Sequence, residues 1–162
     1  MQPVPYKIVA VRSDFLVRAR SDGIDDLGQP VERITATGGE PCRDTFHRAE
    51  AGEELILASY CPFDYASPYR EYGPVFILAR NGGSVVPPEQ LPLDGVQPYL
   101  GAQFVLRAYS PQERIVKAVL STPREAAEHL QRLFADSGTA FVLGRFAAYG
   151  CYALRLERNN GH

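Results

Sequence analysis

Tryptophan is missing from this chain of 162 residues, methionine occurs once, and lysine stands at only two positions, Lys7 and Lys117. Arginine carries nearly all the positive charge, spread without a run, and the formal net charge is −2. Nucleic-acid binding needs a concentrated basic face to meet phosphates, so balance and spacing both argue against that partner. Cysteine is scarce as well: Cys42, Cys61 and Cys151 cannot all pair within one chain, which argues against a disulfide framework and for a reducing cytoplasm. Apolar residues come in short runs, well under the roughly 18 that a membrane span needs. The start, MQPVPYKIVAVR, lacks the basic leader and apolar stretch of a secretion signal. These absences lead to the expectation of a soluble, cytoplasmic protein without membrane or nucleic-acid partners. The length fits one globular domain over residues 1–162.

Several segments are apolar and β-branched enough to predict strands: Tyr6–Val11, Val31–Thr37, Leu55–Tyr60 and Pro74–Arg80. Gln103–Tyr109 and Arg114–Leu120 flank Ser110-Pro111-Gln112-Glu113, a hairpin with proline where type I turns prefer it. A second hairpin joins Thr139–Ala147 to Cys151–Arg158, with Tyr152, Leu154 and Leu156 expected on one face. The firm helix is Arg124–Ala135. Thr122 and Glu125 form its capping box, Pro123 opens it, Ala126, Ala127, Leu130, Leu133 and Phe134 make its apolar face, and His129 is solvated. A weak N-terminal helix follows Ser13-Asp14 through FLVRAR until Asp22-Gly23 stops it, and Asn81–Gly95 is too rich in glycine and proline for a regular element. Short turns favour antiparallel pairing. The sum is an α+β domain: a mixed, mainly antiparallel sheet of about seven strands, one firm helix and one weak one, without internal repeat.

The stretch GGEPCRDTFHR, Gly38–Arg48, gathers Cys42, Arg43, Asp44 and His47 behind a double glycine. With Pro41 in the first turn of a short helix, Cys42 would lie among free backbone N–H groups beside Arg43, an environment that favours a thiolate. Alternatively Cys42 is a small buried hydrophobe next to a turn. A Cys42–His47 dyad requires non-helical backbone, because five helical residues turn through about 500° and leave the two side chains about 140° apart. Gly38-Gly39 either leaves N–H groups free to cradle an anion, with Arg43 supplying charge, or answers a turn that needs positive φ. Only Cys42 and His47 are close among the potential zinc ligands, with Cys61, His129 and Cys151 scattered and His162 in an end expected to be disordered, so neither metal nor cofactor is expected. A second candidate is the loop holding Tyr60, Phe63, Tyr65, Tyr69 and Tyr72, which suits a ligand cleft or partner surface, or else covers the core edge.

Four blocks, TATGGEPCR, AEAGEELILASYCPF, PYREYGPVFI and YGCYALRLER, resemble a bacterial family classed as domain of unknown function 1203. The resemblance spans nearly the whole chain and implies a small bacterial domain without assigned activity. It also implies departures: many members carry a second cysteine where Thr45 stands, and a His and a Cys where Leu78 and Asn81-Gly82-Gly83 stand here. If those groups form a metal or redox site in relatives, this chain lacks most of it.

The leading expectation is a non-catalytic binding module. A pocket between the Gly38–Arg48 turn and the Tyr60–Tyr72 loop would take a small anionic molecule or a protein segment. Arg43 would pair with the anion, Gly38 and Gly39 would shape the turn, and Tyr65 and Tyr69 would wall the pocket. The rival is a cysteine-dependent enzyme or redox protein with Cys42 as nucleophile and His47 as base. A third reading is a structural domain that associates through a sheet edge or the aromatic loop.

Overall fold

The computed structural model describes residues 3–80 and 87–161, and within them ten strands and two α-helices. Asn81–Val86, part of the predicted irregular stretch, and His162 lie outside the described residues. The strands are β1 (Tyr6–Val9), β2 (Glu32–Thr35), β3 (Pro41–Cys42), β4 (His47–Arg48), β5 (Glu54–Tyr60), β6 (Gly73–Leu78), β7 (Phe104–Tyr109), β8 (Ile115–Ser121), β9 (Phe141–Phe146) and β10 (Tyr152–Arg158). Helix α1 is Ser13–Val17, continued by a π-helical turn Arg18–Asp22, and α2 is Ala126–Ala135.

The α+β class stands, but the single sheet of about seven strands does not: there are two sheets of five. The first has the order β1-β10-β9-β7-β8, antiparallel throughout. The second has the order β2-β5-β6-β3-β4, with β3 parallel to β6. Each predicted strand is present, shortened or shifted at its ends. The additions are β3 and β4, two residues each, too short to leave a periodic pattern.

The first sheet lies between α2 and the second sheet. On its helix side Leu106, Val142, Leu154 and Leu156 pack with Leu130, Leu133, Phe134, Tyr99 and Leu100. On its other side Tyr109, Phe141, Leu143 and Tyr152 pack with Ile56, Ala58, Val75 and Ile77 of the second sheet and with Phe15 and Ala19 of the N-terminal helix. Strand β9 is therefore buried at every residue, and its sequence FVLGRF shows no alternation, as expected of a strand covered on both faces.

A bulge corrects the expected face sharing in β10. Tyr152 pairs with Arg145 while Leu154 pairs with Gly144, so Ala153 is an extra residue. Tyr152 thereby joins the core between the sheets, and Leu154 and Leu156 join the helix side. Gly144 leaves room for Leu154 here: a Cβ would stand 3.1 Å from Leu154 Cδ1, so a larger residue needs that side chain to give by a few tenths of an ångström.

The helix ends also differ from expectation. Helix α2 begins at Ala126, two residues late, and the Thr122 hydroxyl donates to the Glu125 carboxylate at 3.0 Å instead of capping the first turn. Ala127 is exposed, and His129 is half-buried with Nδ1 2.8 Å from Ser121 Oγ. The N-terminal helix begins at Ser13 itself, without a side-chain cap, and ends where Gly23 takes φ +67°.

Candidate functional site

A cavity of about 650 Å³ opens where the Gly38–Arg48 segment meets the tip of the β9–β10 hairpin. It is lined by Thr37–Pro41, Arg43 and Arg48, by Leu57, Pro74 and Phe76 of the second sheet, and by Phe146–Tyr149 with Cys151 at the hairpin. The lining is mainly apolar, with Arg43, Arg48 and Glu40 as its charged groups.

Arg43 does not stand in a short helix, as Pro41 had suggested; Pro41 and Cys42 are strand β3, and the Arg43 amide donates to Phe76 O at 2.9 Å. That bond continues the parallel pairing and turns the Arg43 side chain between the sheets. Its Nε donates to Tyr152 O at 2.8 Å and its Nη1 to Pro41 O at 2.7 Å, so one guanidinium joins both sheets. The guanidinium carbon lies 4.9 Å from the Phe146 ring centre. Only 2% of Arg43 is exposed, yet no described carboxylate forms an ion pair with it. Several other arginines are balanced, Arg20 by Asp44, Arg145 by Glu71, Arg12 and Arg18 by Asp26, whereas Arg48, like Arg43, donates only to carbonyls among the described residues. Burial pulls the Arg43 pKa below its ordinary value. Three of its five N–H groups meet no acceptor among the described residues.

Arg48 enters the same cavity. Its three nitrogens each donate to a carbonyl, Nε to Pro98, Nη1 to Gly39 and Nη2 to Tyr99, at 3.1, 2.8 and 3.0 Å. It reaches the Phe146 ring at 5.6 Å, so the ring meets two cations.

The double glycine is occupied from within. Gly38 N–H donates to Glu40 Oε1 at 2.8 Å, Thr37 N–H to Glu40 Oε2 at 2.8 Å, and Gly39 N–H to Ala49 O at 2.9 Å. The anion cradled by this turn is thus its own Glu40 side chain. Desolvation works against that carboxylate, yet hydrogen bonds from the Thr37, Glu40 and Gly38 N–H groups together hold its pKa below the ordinary value. Both glycines have positive φ, 110° and 95°, which the turn demands.

Cys42 and His47 are paired across β3 and β4, but their side chains have different surroundings. Cys42 is buried with Ala36, Ala49, Leu55 and Leu78, whereas His47 is exposed at a separate cavity of about 340 Å³. Burial pushes the Cys42 thiol up to about 12; Asp44 and Glu53 add to the shift and Arg43 opposes it. No hydrogen bond joins the thiol to the imidazole, and Sγ lies 3.7 Å from Glu40 O. A thiol so placed is a poor nucleophile. Native alkylation with iodoacetamide is therefore expected to modify half-buried Cys151 first and Cys42 last. Peptide mass spectrometry reads the order, and early modification of Cys42 would contradict this account.

Tyr65 and Tyr69 are not brought to the cavity. The buried Glu113 carboxylate, at the tip of the β7–β8 hairpin, accepts from Asp64 N–H at 2.9 Å and Tyr65 N–H at 2.6 Å. Tyr69 lies under the Arg114 guanidinium at 5.4 Å, and Tyr65 is exposed. The aromatic loop is thus tied to that hairpin tip. Sequence reasoning missed Leu57, Phe76, Arg48, Phe146 and Tyr149 as cavity residues. YGCY at Tyr149–Tyr152 was a visible signal, but nothing local links it to GGEPCR. Among the described residues no cluster of three or more His, Cys, Asp or Glu could hold a metal, and no helix is long and apolar enough to cross a membrane.

A family model described as "Protein of unknown function (DUF1203)" matches residues 39–158. No curated protein and no solved structure matches the chain.

Proposed function

The chain belongs to the DUF1203 family of proteins of unknown function, and on that footing we propose that it is a non-catalytic module binding a small anionic molecule in the Arg43 cavity. One observation carries this reading: a buried guanidinium that lines an apolar cavity and has no carboxylate partner among the described residues. Isolated buried charge is costly, and it is usually paired or bound to something. A cavity of about 650 Å³ falls within the size range of small-molecule sites, roughly 300–1,000 Å³. The reading takes the protein as a bacterial, cytoplasmic domain, with its three cysteines free.

Amide chemical shifts of the labelled protein, titrated with a panel of acidic, basic and neutral fragments, test it. Acids are expected to move Gly39, Arg43 and Ala147–Cys151. Shifts confined to the loop from Phe63 to Tyr72, or no saturable shift at the cavity, would overturn it.

A further inference from the structure

We infer that the ligand is a monocarboxylate with an apolar body, held by its carboxylate on Arg43; this rests on the cavity reading above and names its ligand class. The charges come first. Arg43 and Arg48 bring two positive charges to the cavity and Glu40 one negative, which leaves one in excess. A single carboxylate balances that excess, whereas a phosphate dianion would exceed it beside Glu40.

The donors point the same way. Phosphate sites draw on several backbone N–H groups, and the turn that could supply them has spent Thr37 and Gly38 on Glu40 and Gly39 on Ala49 O. What remains is the Arg43 fork, with three N–H groups free of described acceptors; a planar carboxylate takes two. Tyr152 O and Pro41 O hold that fork in place before any ligand arrives, so little ordering opposes binding.

The rest of the cavity sets the body of the ligand. Leu57, Pro74, Phe76 and Phe146 offer carbon surface. A polyhydroxylated or multiply charged molecule would lose its hydration against these walls without replacement.

Cys151 gives the readout, because it lines the cavity and is the one cysteine of the three that is not buried. The rate of its alkylation by iodoacetamide is measured in the wild-type chain with 4-phenylbutyrate, 4-phenylbutyramide, phenyl phosphate or inorganic phosphate present. The inference expects 4-phenylbutyrate to slow the reaction saturably, at concentrations about 10- to 100-fold below those of the matched amide, the worth of hydrogen bonds to a charged group. Arg43→Lys keeps the charge but not the fork, and is expected to erase most of that preference. Equal protection by acid and amide overturns the carboxylate assignment and leaves the cavity reading standing. So does stronger protection by phenyl phosphate or inorganic phosphate. Protection by none of the four sinks both. The ligand comparison uses wild-type protein, so a poorly folded variant cannot imitate any of these results.

Discussion

Arg20→Ala is expected to cost the fold about 3–5 kcal/mol at neutral pH, the usual penalty for stranding a buried charge. Arg20 Nη2 lies 2.7 Å from Asp44 Oδ2, and the Asp44 side chain is only 2% exposed. The Arg20 Nε also donates to Leu78 O at 3.0 Å, so the pair fastens the N-terminal helix to β6 and to the turn behind β3. The pH dependence separates this cause from simple loss of packing. Burial raises the Asp44 pKa above 3.8, while Arg20 and the Leu78 N–H pull it back. A carboxyl with a raised folded pKa binds its proton more tightly in the fold than in the unfolded chain. Stability tied to it is therefore lost as pH rises above the unfolded value and regained as pH falls. Without Arg20 the pKa rises further, so the variant's deficit is largest at neutral pH and shrinks at acidic pH, toward the unfolded value. Urea unfolding at neutral and acidic pH checks this. A deficit below about 1 kcal/mol at neutral pH would place the pair with ordinary surface bridges, and a deficit that grows in acid would contradict the mechanism.

Tyr99→Ala is expected to cost a similar amount, about 3–5 kcal/mol, because it empties a fully enclosed aromatic site. Tyr99 is 2% exposed, and its ring meets Phe46 and Phe146 edge-on at centroid distances of 6.0 and 5.4 Å. Its hydroxyl donates to Ala153 O at 2.6 Å, the extra residue of the β10 bulge, and its carbonyl receives Arg48. The loss should therefore spread to the cavity wall. Tyr99→Phe keeps the ring and is expected to cost only about 1–3 kcal/mol, for one buried acceptor left bare. Alkali offers a second check. Burial raises the pKa values of Tyr60, Tyr99 and Tyr152 above 10.0, so each stays protonated in the fold where the unfolded chain would ionise. Stability must fall as pH climbs past that value, and Tyr99→Phe should make the fall shallower. An unchanged alkaline slope in Tyr99→Phe, followed by circular dichroism, would contradict the assignment.

Much of the local structure is legible in the chain. The alternating runs around Ser110–Glu113 give β7 and β8, and the apolar stripe of Leu130, Leu133 and Phe134 gives α2. What is not legible is which strands share a sheet. Pairing of β1 with β10 joins Tyr6 to Arg158, near opposite ends of the sequence, and no local pattern records that choice. The bulge at Ala153 is equally hidden, since YALRL alternates well enough to suggest an unbroken strand.

The site divides in the same way. A polar, glycine-led stretch such as GGEPCR marks itself as unusual, and it does line the cavity. Its chemistry runs differently from the local reading. The cysteine that stood out is enclosed by Ala36, Ala49, Leu55 and Leu78, and the glycine N–H groups are taken by Glu40 and Ala49. Arg43 matters because of Tyr152, more than a hundred residues away, whose carbonyl fixes the guanidinium at the junction of the sheets. The tyrosine loop, conspicuous in sequence, is drawn off by Glu113, a residue whose backbone sits at φ +62° and whose carboxylate faces inward.

The central claim is that Arg43 is the anchor of a ligand site, and its own Nε–H resonance reports on that most directly. Titration of nitrogen-15-labelled protein with 4-phenylbutyrate should shift this resonance saturably, in step with the amides of Gly39 and Cys151. A resonance that stays fixed while the acid binds elsewhere, or that moves equally with 4-phenylbutyramide, would contradict the account.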